Sequence, residues 1–148
     1  MDLGAAASKA LPGRIPREEA AIALNRMAQR VIAAVSDLFF AVKVNDVLKK
    51  LDMEMKMAKS VEDAIEKARI PTALIVVDLN DRAMDGLELV KALKGDPMLA
   101  SIPVLAFSSH VQVELIDEAK AAGVEAVVAR SVFADRLPEL IAALTSKA

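Results

Sequence analysis

The sequence predicts a doubly wound α/β domain, a five-stranded parallel sheet in the order 2-1-3-4-5 with helices on both faces. Three observations lead there. Short apolar runs alternate with longer stretches of helical periodicity. One run, "ALIVV", is apolar throughout, as a central parallel strand covered on both faces should be. Another, "DMEMKMA", alternates strictly, with Met53, Met55 and Met57 on one face and Glu54 and Lys56 on the other. A strand that is polar on one side suits a sheet edge, where charge also blocks further pairing. That strand is second in the chain, which places strands one and three side by side in the middle.

Residues 1–29 are expected to stand apart as an N-terminal tail and short helix, with the domain proper over residues 30–148. Gly4, Pro12 and Gly13 break up the first fifteen residues. Pro16 then opens "PREEAAIALNRMAQR", whose Ala20, Leu24, Met27 and Ala28 share one helical face. That stripe would dock on the domain or on a second copy of the chain, which would make a homodimer.

Within the domain, "VIAAV" is a compact first strand. The helix after it carries Phe40, Val44, Val47, Leu48 and Leu51 at i, i+4, i+7, i+8 and i+11. After the methionine strand, Ser60 and Asp63 form a capping box with Asp in the Glu place, ahead of a stripe at Val61, Ala64, Ile65 and Ala68. A third helix runs from Gly86 to Lys94 and stops near "GDP". "PVLAF" and "AVVA" are strands four and five, separated by a helix that ends on Gly123, a natural C-terminal cap. The last helix carries Leu137, Leu140, Ile141 and Leu144, and Pro138 is tolerable there only in the first turn.

Composition removes several function classes. The chain has 148 residues, enough for one domain to bury a core without staples; 55% are hydrophobic and 3% aromatic, so that core is aliphatic. A net charge of −2 gives no field suited to nucleic acid or an acidic membrane. The absence of cysteine excludes disulfides, thiol nucleophiles and thiolate metal sites. No uncharged apolar run approaches the ~18–20 residues that span a bilayer, and the N-terminus lacks the pattern of a signal peptide. A soluble, cytoplasmic protein is expected.

In such a sheet the strand ends bring together Ser36 and Asp37, Asp78 and Asn80, Ser108, Ser109 and His110, and Arg130 and Ser131. Any one of these is explained equally well as a helix cap. As a set, with an arginine near Asp78, they describe a pocket at the point where the strand order reverses. His110, the only histidine, follows two serines directly. A catalytic Ser–His pair needs a third orienting group, and sequence neighbours rarely face each other, so no enzyme is expected. His110 fits the pocket rim or a cap of the fourth helix.

"ALIVVDLNDRAMDGLELV", "IPVLAFSS" and "AAGVEAVVARS" resemble the receiver domain of two-component response regulators, over about Arg30 to Leu144. The most specific piece is Asp78 followed seven and eight residues later by Asp85-Gly86. The resemblance implies that Asp78 is the phosphoacceptor, that Ser108 is the switch hydroxyl, and that Asn80 offers its backbone carbonyl to Mg²⁺, so that its side chain matters little. It also implies departures. Aligned without gaps, Val35 and Ser36 stand where receivers carry a pair of Mg²⁺-binding acids. A shift of one residue would put Asp37 on the second acid, leaving Asp37 and Asp78 as metal ligands. Arg130 replaces the lysine after strand five, Ser131 the following proline, and Val127 the aromatic of strand five. "MPG" has become Asp81-Arg82-Ala83.

Losing one or two carboxylates weakens a cation site by orders of magnitude, so Mg²⁺ binding is expected to be weak. The planar fork of Arg130 suggests a two-bonded clasp on Asp78 or Asp37 that holds the domain in one state without phosphate. The reading that follows is a stand-alone receiver-like signalling protein of phosphorelay type, with no output domain, an atypical pseudo-receiver acting through a signalling partner such as a histidine kinase or phosphotransfer protein. Its output surface would include Val113, Glu114, Asp117, Arg136 and Glu139. Two alternatives stay open. One is a conventional response regulator phosphorylated on Asp78. The other is a flavin-like small-molecule binder, for which "SDLFFAV" offers Ser36 alone as a phosphate contact.

Overall fold

A computed structural model of the chain describes residues 16–20, 29–109 and 112–145. Arg17 to Ala20 are helical, with the Ala20 N–H donating to the Pro16 carbonyl at 2.9 Å. The rest of the N-terminal stripe, including Leu24, Met27 and Ala28, lies outside the described residues, as does His110.

Strands β1 (Arg30–Ala34), β2 (Glu54–Met57), β3 (Leu74–Asp78), β4 (Val104–Ser108) and β5 (Ala126–Ala129) alternate with α1 (Leu38–Lys50), α2 (Val61–Ala68), α3 (Gly86–Gly95), α4 (Val113–Ala122) and α5 (Arg130–Thr145). The strands form one sheet in the order β2-β1-β3-β4-β5, and every neighbouring pair is parallel. β1, β3 and β4 are buried along their whole length, whereas β2 and β5 are only partly covered, as edges must be.

Strand parity sorts the core into two layers. Ile32 and Ala34, Ile75 and Val77, and Val104 and Ala106 face α2, α3 and α4. Val31 and Val35, Leu74 and Val76, and Leu105 and Phe107 face α1 and α5. The period of two residues is what the pleat dictates. One consequence matters for the site: Asp78 follows the parity of Leu74 and Val76, so its side chain belongs to the α1/α5 face.

Local chemistry sets the element ends. Ser60 Oγ accepts from the Asp63 N–H at 3.0 Å, and Asp63 reaches back one residue beyond the cap to the Lys59 N–H at 2.9 Å. Gly123 ends α4 at φ 107°, a left-handed conformation that a side chain would strain. Arg30, buried at the start of β1, donates to the carbonyls of Lys67 and Ile70 and so closes the end of α2. α5 is interrupted at Arg136 (φ −117°, ψ 21°), so Pro138 sits in the first turn of the segment after the break.

Candidate functional site at the carboxyl ends of the strands

β3 stops on Asp78 because its carboxylate turns the chain. Asp78 Oδ1 accepts the Asn80 N–H at 2.9 Å, and the Asp78 carbonyl accepts the Asp81 N–H at 3.2 Å. The side chain is nearly inaccessible, at 4% exposure. The three polar side chains of this stretch, Asp78, Asn80 and Asp81, each point toward the end of a different strand.

Toward β1, Asp81 Oδ1 accepts both the N–H and the Oγ–H of Ser36, each at 2.7 Å. Toward β4, Asn80 Oδ1 accepts the Ser108 Oγ–H at 3.1 Å and the Ser109 N–H at 2.8 Å. Toward β5, Asp78 Oδ1 lies 3.6 Å from a terminal nitrogen of Arg130. The loop after β3 is therefore bonded directly to the ends of β1 and β4, its two neighbours, while Asp78 itself faces Arg130 just beyond β5.

Arg130 is fixed by more than its charge. Its guanidinium carbon lies 5.2 Å from the Phe40 ring centroid and 5.6 Å from that of Phe107, within cation–π range of both. Phe107 in turn stacks on Phe133 at 4.0 Å with an interplanar angle of 22°, and Phe39 meets Phe40 edge-on at 5.4 Å. All four phenylalanines of the chain are thus linked by ring contacts; Phe40, Phe107 and Phe133 are buried in a core that is otherwise aliphatic, and Phe39 is exposed.

Together these groups frame a cavity of about 480 Å³ lined by Ser36, Asp37, Asp78, Asn80, Asp81, Arg82, Ser109, Gln112 and Arg130. Burial pushes the Asp78 carboxyl above the usual carboxylate range, opposed by the Asn80 N–H and the Arg130 guanidinium and reinforced by the carboxylates of Asp81 and Asp37.

Most of the residues expected at the strand ends converge here, and several behave differently from expectation. Asp37 lines the cavity, but its carboxylate caps α1 by accepting the N–H groups of Phe39 at 2.9 Å and Phe40 at 3.4 Å. Ala34 pairs with Val77, so Val35 lies level with Asp78, and Ser36 and Asp37 both line the pocket, Ser36 bonded to Asp81. The Asn80 side chain, expected to matter little, holds the end of β4. Arg130 makes no two-bonded clasp; one nitrogen approaches Asp78 beyond hydrogen-bond length, and the rings orient the guanidinium instead.

Ser131 does not join the pocket. β5 passes into α5 at Arg130 without a loop, and the ~100° advance per helical residue turns Ser131 away. It lines a separate groove with Lys43, Val132, Ala134, Asp135 and Arg136. Asp81, Arg82 and Gln112 are pocket residues that the sequence reading did not select. For Asp81 a signal existed, an acid three residues past Asp78 on the same loop. For Gln112 there was none.

Among the described residues no three carboxylate or histidine side chains converge in a way that could hold a metal ion, and no helix is long and apolar enough to cross a membrane.

A doubly wound parallel sheet with a buried aspartate at its switch point defines a class of α/β proteins whose ligand chemistry lies at the strand ends. The family follows from comparison. The family model of the response regulator receiver domain matches residues 35–142, and the chain belongs to that family. Its fold is similar to that of a putative response regulator from Chloroflexus aurantiacus (TM-score 0.71, 18% identity, 80% of this chain and 98% of that one). The receiver domain of NtrX from Brucella abortus is comparably similar (0.70, 19%, 80% and 99%). So is the phosphorylated cyanobacterial phytochrome response regulator RcpA (0.67, 19%, 78% and 90%).

Proposed function

We propose that this receiver acts in phosphorelay signalling as an atypical pseudo-receiver, transmitting through a bound protein partner, with Mg²⁺-dependent phosphorylation of Asp78 impaired. The observation that carries this reading is the end of β1. Val35, fully buried, and Ser36, already donating twice to Asp81, stand where receivers carry two acids for the cation. Asp37 is engaged in capping α1. This donor set does not fit the oxygen-rich cage that a hard divalent cation requires, so Mg²⁺ binds weakly.

The pocket's own groups take over part of the cation's work. Arg130 places a fixed positive charge near Asp78, and Asp81 joins the loops after β1 and β3 through Ser36. A partner would meet α4 and α5, where Val113, Glu114, Asp117, Arg136 and Glu139 are all exposed. A histidine kinase or phosphotransfer protein is a partner of the right kind, and a cytoplasmic setting suits it.

A conventional receiver phosphorylated on Asp78 is the second reading. Its support is that Asp78 and Ser108 keep a carboxylate and a hydroxyl at the ends of the adjacent strands β3 and β4. Incubation with a small-molecule phosphodonor and Mg²⁺, read by intact mass, separates the two. The pseudo-receiver stays unmodified; a phosphoryl adduct on the wild type that is absent from Asp78→Asn selects the second reading.

A further inference from the structure

Two donors at the end of β4 converge on one oxygen. The Ser108 hydroxyl and the Ser109 backbone N–H both donate to Asn80 Oδ1, at 3.1 and 2.8 Å. The N–H also settles which end of the amide points at β4, because a backbone donor needs the oxygen and not the nitrogen. Ser108 is fully buried, and a buried hydroxyl needs an acceptor. Its other contact, the Ser109 carbonyl at 3.3 Å, is longer.

A hydroxyl and a backbone amide aimed at one oxygen are the arrangement that holds an oxyanion. Here the oxygen belongs to the chain itself. We infer that Asn80 is an internal ligand of this donor pair. Its amide oxygen occupies the place an incoming oxyanion would need, and it fixes Ser108 and the end of β4 with no modification of Asp78. Asn80 is then a positioning residue acting through Ser108 and Ser109. The inference rests on the reading of Ser108 as the pocket's switch hydroxyl.

The test is amide hydrogen exchange on the full chain, with the Ile32 and Val76 amides of β1 and β3 as reporters of overall folding. Asn80→Ala should speed exchange of the Ser109 amide about tenfold, as expected for one lost hydrogen bond, while both reporters keep their rates. Asn80→Asp restores an acceptor oxygen and should return Ser109 toward the wild-type rate. An unchanged Ser109 rate in Asn80→Ala, or an Asn80→Asp variant as fast as Asn80→Ala, overturns the inference. If Asn80→Ala does not fold, the wild type still decides. A scalar coupling across the hydrogen bond from the Ser109 nitrogen to the Asn80 side-chain carbonyl carbon is expected, and its absence overturns the inference. Neither readout involves phosphoryl transfer, so this inference and the pseudo-receiver reading fail separately.

Discussion

Arg130 approaches Asp78 to 3.6 Å from two strands away, and it does so lying over the rings of Phe40 and Phe107. An ion pair with one partner 35% exposed contributes modestly by itself. What the rings add is orientation: the guanidinium cannot swing away without leaving two aromatic faces.

Lysine at this position would lose that constraint. Its ammonium is a mobile point charge on a flexible stem, while the guanidinium is planar and stacks. Arg130→Lys should therefore loosen the pocket and raise Mg²⁺ affinity about tenfold, measured by titration calorimetry. Unchanged affinity would remove the idea that Arg130 restrains the site.

The Phe107–Phe133 stack is the base on which Arg130 rests, and both rings are fully buried. Phe133→Ala should cost about 3–5 kcal/mol, from lost transfer energy and the cavity left behind. Urea denaturation would register it as a lower midpoint with an unchanged slope. The same variant should approach Arg130→Lys in Mg²⁺ affinity, because Arg130 loses its support.

Asp78 makes stability depend on pH in a direction opposite to most carboxylates. Burial raises its pKa, so between the ordinary value and the raised one the folded state holds a proton that the unfolded state has released. Stability from this group falls as pH rises through the raised folded value, and it is regained as pH drops back toward the ordinary ~3.9. Asp78→Asn, which removes the buried charge, should raise Tm at pH 7, and the gap should close in the carboxylate range. Thermal melts of both proteins across pH check this; a gap that stays constant would contradict it.

Gly86 is required where α3 begins against the end of β3. A β-carbon there would lie 2.6 Å from the Asp78 carbonyl oxygen and 3.0 Å from the Leu79 α-carbon, both backbone atoms that cannot step aside. Gly86→Ala should destabilise by about 1–3 kcal/mol despite alanine's better helix propensity. A urea midpoint equal to the wild type's would show that the two elements can separate at no cost.

Much of this architecture was legible in the chain, and the legible parts share a cause. Strand parity and helix stripes are local and repetitive, so "ALIVV" declared a buried strand and "DMEMKMA" an edge. The break at Arg136 obeys the rule that placed Pro138 in a first turn. What escaped depends on where side chains from distant segments meet. Nothing local says that Asn80 turns its amide to β4, or that Phe40 and Phe107, far apart in the chain, meet under one arginine. The two-bonded Arg130 clasp was a statement about geometry that composition cannot supply. Ser131 was misplaced by a single residue of helix, since the passage from β5 to α5 without a loop has no mark in "AVVARSVF".

The most direct test of the central claim, that this pocket is held together by its own side chains in place of a cation, restores the missing parts. Wild type and the Ser36→Asp/Arg130→Lys double variant would be incubated side by side with phosphodonor and Mg²⁺ and followed by intact mass. The pocket described here predicts an adduct on the double variant, abolished by a further Asp78→Asn, and none on the wild type. A wild-type chain that accepts the phosphoryl group as fast as the restored variant would contradict it.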